Sequence, residues 1–347
     1  MDKTQELMPV IDFDKVMQEV EAGYINVGTH PSGRLKIFNY SPKAQFDWRW
    51  TAETMACRGL ITDLENNLVA RPFPKFFSYD QLCGNIPDEP FEAFEKMDGS
   101  LGILYWLDDE PHISTRGSFV SHQAYIASAM LIHQYSHVKF DRSNTYLFEI
   151  IYPENRIVVD YGDRSELVLL AVIDTETGVE QPIPEIDMPV AKRYDIDDIQ
   201  KIIDQQDDSR EGFVVRFESG QRVKFKFDEY LRLHKLLTGV GPRHIWELLR
   251  SGSGLGEFID RVPDEFYQWV RETENDLMEM FCRIESEARG AMAFAGTRKE
   301  IAERFTKCKY PSVMFAILDG KDYREIIWKM IKPSGESVFK CESLAII

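Results

Sequence analysis

The sequence predicts an α+β protein, with antiparallel sheets and helices over about the first 235 residues and an all-helical C-terminal domain after them. Three observations carry this. Short apolar and β-branched runs recur from about residue 23 to 230. Turn formers such as Glu-Asn-Asn, Asp-Asp-Glu-Pro and Glu-Ser-Gly separate them. Beyond about residue 235 the apolar residues fall at helical spacing instead. At 347 residues, with 44% hydrophobic and 29% charged side chains, the chain is long enough for two domains with a proper core.

Residues 12–21 place Phe13, Val16, Met17 and Val20 on one helical face. Strand-like runs come next in GRLKIFNY, GLITDLENNLVAR and LGILYWLDDEPHIST, and a helix is expected near residues 121–135. Further strands are expected in TYLFEIIY, LVLLAVID, GFVVRF and RVKFKF. The Gly/Pro-bearing segment TGVGPR marks a boundary, giving expected domains over 1–235 and 236–347. From Pro263 to Ala288, Phe266, Val270, Leu277, Phe281 and Ile284 form one stripe, and RKEIAERFTKC, SVMFAILDG and DYREIIWKMI continue the helical pattern. No internal repeat or low-complexity segment interrupts the chain.

Composition excludes some classes. No stretch is apolar and long enough to span a bilayer. The segment 1–10 lacks the basic-then-apolar order of a secretory signal, so a cytoplasmic location is expected. Cys57, Cys83, Cys282, Cys308 and Cys341 are scattered, odd in number and free of Cys-x-x-Cys pairs, which argues against a disulfide framework and a structural zinc. The net charge of −17 argues against nucleic acid when taken alone. It is unevenly spread: from Leu236 onward the chain has 16 Lys+Arg and 18 Asp+Glu, so the first 235 residues hold −15 of it. A local basic surface can exist on an acidic protein.

The chemistry centres on FEKMDGSLGILYW, in which Lys96 precedes Asp98, Gly99 and Ser100 and then a strand-like run. Alone, Lys-x-Asp-Gly also reads as a turn before a hairpin. The ordered residues downstream of it matter more. STRGS (114–118) closes the hairpin, Glu149 lies inside the apolar strand LFEIIY, Glu211 stands at the entrance of GFVVRF, and Lys224 and Lys226 alternate with Val223, Phe225 and Phe227. Strand alternation turns both ammonium groups to one face and the apolar residues into a core. Each charge by itself also reads as the solvated face of a strand. One nucleophile candidate, three carboxylates and several cations in this order do not.

This ordered set resembles the covalent nucleotidyltransferases, the DNA ligases, RNA ligases and mRNA capping enzymes. In detail it is similar to RNA ligase 1 of the bacteriophage T4 type. The resemblance runs over about residues 30–235, through SGRLKIFNYS, ACRGLITD around Arg58, RPFPKFFSYDQ around Lys75, KMDGSLG, STRGSFVSHQA, LFEIIYPENRIVVDYG, EGFVVRF and KFKFDEYLRLH. It implies a nucleotidyltransferase (ATP-grasp-like ligase) domain and a three-step reaction. Lys96 takes AMP from ATP, the AMP passes to an RNA 5′-phosphate, and a 3′-hydroxyl then displaces it. Rejoining of cleaved tRNA is the implied task, with the helical domain as the reader of tRNA shape.

An amine suits the first step because its phosphoramidate can pass the AMP on. Lys224 and Lys226, with a bound Mg²⁺, would favour the neutral amine and contact the α-phosphate. Asp98, Glu149 and Glu211 are expected to face hydrated Mg²⁺, and Gly99 to let the backbone pass close to the nucleotide. By the resemblance, Glu149 and Glu211 also hold the nucleotide, and Arg58, Lys75 and Arg116 meet the triphosphate tail or the RNA 5′-phosphate. Phe148 or Tyr230 could stack on adenine or belong to the core.

Other signals carry less. His133 and His137 are four apart on the expected helix but have no third ligand nearby. SGSGLGE (251–257) lacks the Lys-Ser/Thr of a phosphate loop. The segment Arg298–Lys309, with five cations against two acids, reads as a solvated helix face or an RNA contact. A DNA ligase or capping enzyme would usually carry a small OB-fold barrel after Lys-x-Lys, and helical spacing stands there instead. A non-catalytic RNA-binding module on the same fold is opposed by the intact set of Lys96, Asp98, Glu149, Glu211, Lys224 and Lys226.

Overall fold

The computed structural model describes residues 11–207, 209–238, 241–253, 255, 267–292 and 296–333. The segment 1–10, Phe266, Cys341, residues 239 and 240 of TGVGPR and most of 254–257 lie outside the described residues. The chain forms two compact units, Met1–Leu237 and Thr238–Ile347.

The first unit holds three sheets among its described residues. One is a meander of β1 (Ile25–Thr29), β2 (Leu35–Tyr40), β3 (Arg58–Asp63) and β4 (Leu68–Ala70). The remaining strands are β5 (Phe77–Ser78), β6 (Phe91–Lys96), β7 (Ser100–Leu107), β8 (Glu110–Thr115), β9 (Asn144–Ile151), β10 (Glu166–Asp174), β11 (Glu180–Gln181), β12 (Arg193–Tyr194), β13 (Gly212–Phe217) and β14 (Arg222–Lys226). The second sheet runs β11-β10-β9-β7-β8 and the third β12-β6-β13-β14-β5. Pairings are antiparallel except β14 with β5, a parallel pair joined by a long excursion of the chain.

Alternation decides which faces are buried. In the third sheet Phe213, Val215, Phe217, Val223 and Phe225 pack with Ile202, Phe227 and Tyr230. Ile37, Ile61, Ile103, Leu147 and Ile173 join the first two sheets in one core. The helix His122–Gln134 lays Ala127, Met130 and Leu131 over Leu104, Phe148 and Leu169 of the second sheet. Each large side chain buried this way contributes roughly 1.5–3 kcal/mol. Phe148 is fully buried there, so it is a core residue and not an adenine platform.

The helix Phe13–Glu21 is capped by Asp12, whose carboxylate accepts from the N–H groups of Asp14 and Lys15. Val16 is buried, but Met17 is half exposed, and Glu19 takes the inner position because Arg49 pairs with it at 2.9 Å. Short helices at Pro42–Phe46, Ala52–Ala56 and Ile199–Ile203, and a longer one at Asp228–Thr238, were not expected. The short ones have too few turns for a periodic signal and rest on caps, such as Ser41 with proline at the first position, or the Thr51–Thr54 box. The helix expected to hold both His133 and His137 ends at Gln134, and His137 meets Asp187 instead at 3.1 Å.

Among its described residues the second unit has helices and no strand: Pro242–Ser251, Tyr267–Ala291, Arg298–Phe305, Pro311–Leu318 and Arg324–Met330. Val270, Leu277, Phe281 and Ile284 are buried along one stripe. The Trp246 indole N–H donates to the Trp328 carbonyl at 2.8 Å. In the basic segment, Arg298 and Lys309 pair with Asp319 and Glu287. No helix among the described residues is long and apolar enough to cross a membrane.

Candidate active site

The segment Lys96–Ser100 is the crossover between two sheets. Lys96 ends β6 in the third sheet and Ser100 opens β7 in the second, so the turn between them stands at a seam. Register then sets the neighbours: Gly212 pairs with Lys96 on one side and Lys226 on the other. Glu211, buried just before Gly212, places its carboxylate 2.7 Å from the Lys96 ammonium and 3.3 Å from that of Lys226. Lys224, two residues back on β14 and opposite Val214, projects to the same face.

The second sheet supplies Glu149, which lies opposite Leu101 and accepts from the Gly99 N–H at 3.0 Å. Burial pushes the Glu149 carboxyl up to about 8; Lys96 opposes the rise, Glu211 and Asp98 add to it, and Arg58 opposes it. The folded chain therefore holds a proton on Glu149 that the unfolded chain releases near its ordinary value of 4.5, so stability falls as pH climbs from there to about 8. Because Glu149 keeps some solvent contact, we expect Glu149→Gln to be ~2 kcal/mol more stable relative to wild type at pH 8 than at pH 4.5. Urea unfolding at both pH values checks this, and a pH-independent difference would contradict it.

Asp98 departs from its expected place. Its Oδ2 accepts from the Val158 and Val159 N–H groups, both at 2.8 Å, and its Oδ1 from the Tyr230 hydroxyl at 2.8 Å. The Asp98 N–H donates to the Tyr161 hydroxyl. A buried carboxylate met by three donors fastens structure; it does not present open lone pairs to an ion. Among the described residues no three His, Cys, Asp or Glu side chains converge on a metal position. Asp98 thus ties the Lys96 turn to the loop 152–162 and to the helix Asp228–Thr238. Tyr230 is buried by the same bond and offers no open face to adenine. Asp98→Ala should cost ~3 kcal/mol in urea unfolding and Tyr230→Phe ~1 kcal/mol, the first stranding three donors and the second removing one. Equal losses would deny Asp98 this central part.

Gly99 also has a different reason. A β-carbon there would stand 2.6 Å from the Ile150 carbonyl oxygen and 3.1 Å from the Glu149 Cγ. The close approach it permits is to β9 of the same chain, not to a nucleotide.

The remaining cations form a flank. Arg58 heads β3 and lies over the Phe73 and Phe76 rings at 5.2 and 5.4 Å. Lys75 is buried among Tyr40, Trp50 and Phe77, 5.4 to 5.9 Å from each ring centroid. Arg116 donates to the Tyr40 hydroxyl at 2.8 Å. Further along the face that carries Lys96, register sets Glu92 beside Arg216 and Arg216 beside Arg222. Glu92 bridges Arg193 and Arg216, and Glu180 bridges Arg216 and Arg222. A cavity of about 620 Å³ opens there, with Lys75, Phe76, Glu92, Arg216 and Arg222 in its wall. Glu92, Glu180 and the three arginines were missed from sequence, because salt bridges between β6, β11, β12, β13 and β14 leave no local spacing. Tyr161 lies inside the motif run YPENRIVVDYG and was the more findable.

The RNA ligase family of the T4 RNA ligase 1 type matches residues 56–230, half of the chain, a span that includes Arg58, Lys75, Lys96, Arg116, Glu149, Glu211, Lys224 and Lys226. The chain belongs to this family. A putative bifunctional polynucleotide kinase/RNA ligase of Autographa californica nuclear polyhedrosis virus is 31% identical over 233 residues, 56% of this chain and 33% of that protein. This RNA ligase family member therefore spans about a third of the length of that relative. An RNA ligase of Rhodothermus phage RM378 is 23% identical and covers 88% of this chain and 86% of its own. Among solved structures, an archaeal ATP-dependent RNA ligase aligns with a TM-score of 0.42 and 16% identity, covering 89% of this chain and 88% of its own.

Proposed function

We propose that this chain is an ATP-dependent RNA ligase that joins 5′-phosphate and 3′-hydroxyl ends through AMP bound to Lys96. The observation that carries it is a single lysine at the seam of two sheets, in contact with Glu211 and flanked by Lys226, Lys224 and Glu149. Family membership supports the same reading.

In the first step Lys96 Nζ attacks the α-phosphorus of ATP and the bond to pyrophosphate breaks. An RNA 5′-phosphate oxygen then attacks the same phosphorus, which frees the lysine, and a 3′-hydroxyl finally attacks the activated RNA phosphate and releases AMP. In the arrangement seen, Glu211 holds Lys96 as an ion pair, so the amine becomes a nucleophile only when that pairing is given up and a proton leaves. Lys226 touches the same carboxylate oxygen and can keep Glu211 paired as Lys96 departs. Lys224 and Lys226 face the charge that grows on the α-phosphate. The cavity beside Glu92 and Arg222 has room for a nucleoside, and Arg58, Lys75 and Arg116 are the cations for phosphates.

Glu149 and Glu211 are the carboxylates that would hold a hydrated Mg²⁺: both stand at the Lys96 turn, and Glu149, kept protonated chiefly by burial, would release its proton to an ion that takes oxygen ligands. Such an ion would supply positive charge to offset the charge that grows on the phosphate under attack. Nicked tRNA is the proposed substrate, the helical unit from Thr238 its reader, and the cytosol its place; the near-neutral charge of that unit, against the acidic first 235 residues, supports the division.

The test is incubation with Mg²⁺ and ATP labelled at the α-phosphate after pyrophosphate stripping of pre-bound AMP. Label on the denatured chain, chased onto 5′-phosphorylated RNA, is the expected result. A folded protein that takes no label would sink the ligase reading.

A further inference from the structure

Trp48 is costly where it stands. It comes just after the helix Pro42–Phe46, its N–H donating to the Gln45 carbonyl at 3.3 Å, with φ of +53°. That left-handed position past a helix end normally takes glycine or asparagine. Of the four other non-glycine residues with positive φ among those described, three are Asn or Asp, which tolerate it. Trp48 is also 51% exposed. A large ring held half in solvent on a disfavoured backbone adds little to the core, and such outliers gather where a ligand is bound.

Its surroundings say what the ligand is. The Trp48 and Phe77 rings lie 5.4 Å apart and tilted by 40°. Lys75 is 5.4 Å from the Phe77 centroid and 5.4 Å from that of Trp50, and Arg116 reaches the adjoining Tyr40. Phe77 pairs with Val223 on β14, beside Lys224. Aromatic faces interleaved with cations, running to the edge of the lysine-bearing sheet, suit a nucleotide whose base stacks while its phosphates meet positive charge. Phe77 and Lys75 also line the 620 Å³ cavity, whereas Trp48 does not.

We propose that Trp48, backed by Phe77, stacks on the base of the terminal nucleotide of the RNA end being sealed, an inference that rests on the RNA-ligase reading. It is tested by the affinity of the full chain for a 5′-phosphorylated RNA oligonucleotide and for the same oligonucleotide abasic at its terminal nucleotide. Wild type should bind the intact RNA about tenfold more tightly or better. Trp48→Ala should bring that ratio near one, and Trp48→Phe should keep most of it. Trp48→Gly should act like alanine while relieving the backbone, which guards against a folding artefact.

A ratio unchanged in Trp48→Ala and Trp48→Gly overturns the proposal. So does an ATP requirement for labelling of Lys96 that rises as much as the RNA Kd, since the ring would then serve ATP. If wild type takes no AMP label yet shows the base-dependent ratio, the ligase reading fails and the stacking stands. If label forms and the wild-type ratio is one, the stacking fails and the ligase reading stands.

Discussion

Lys96→Ala is expected to lower AMP on the denatured chain to background, at least about 10³-fold, while leaving measurable sealing of RNA that already carries a 5′-adenylate. The split comes from the chemistry. In the proposed mechanism Lys96 forms and breaks the bond to AMP in the first two steps, but the last step needs only the adenylated RNA phosphate, a 3′-hydroxyl and the charges around them. Lys96→Arg should behave like alanine, because a guanidinium stays protonated and cannot attack. Lys226→Ala should behave differently, losing about 10²-fold in both labelling and sealing of the adenylated RNA, since a cation beside the reacting phosphate serves both. Equal loss of sealing in Lys96→Ala and Lys226→Ala on adenylated RNA would remove the distinction between nucleophile and electrostatic partner.

Gly212→Ala should be the most damaging change of similar size. Gly212 has φ of +148° and lies between Lys96 and Lys226 in the third sheet. A β-carbon on it would stand 1.9 Å from the Phe225 carbonyl oxygen and 2.9 Å from the Lys226 Cα. Both are backbone atoms, so no rotamer change makes room and β13 must part from β14. The cost should be about 3 kcal/mol or more, with covalent labelling falling with it. The same strain would move Glu211 off its two lysines. Denaturant unfolding and AMP labelling read the two effects separately, and a stable, fully labelling variant would show that the row does not position the site.

How much of this was legible differs from residue to residue. Lys224 and Lys226 on one face, with Val223, Phe225 and Phe227 buried, came from the period of a strand. The stripe Val270, Leu277, Phe281 and Ile284 came from the period of a helix. Asp98 reads from sequence as available to a metal, because it stands two residues from a candidate nucleophile, but the partners that take up its oxygens lie 60 to 132 residues away. Gly99 reads from sequence as room for a nucleotide for a similar reason, whereas Ile150 in another strand is what a side chain there would strike. Met17 kept the spacing of the first helix but lost its place inside to Glu19, whose charge Arg49 offsets.

By itself, then, the sequence determined the α+β pattern, the change to helices near residue 235, the order of the motifs and the identity of Lys96 as the candidate nucleophile. These depend on residues a few positions apart, where strand and helix periods act. The tertiary structure alone decided that Glu211 grips Lys96, that Asp98 serves the framework, that Glu149 is driven to about 8 and that Trp48 stands exposed on a left-handed backbone. Burial, field and strain at a site are sums over atoms brought together from distant strands, and no local window of sequence contains them.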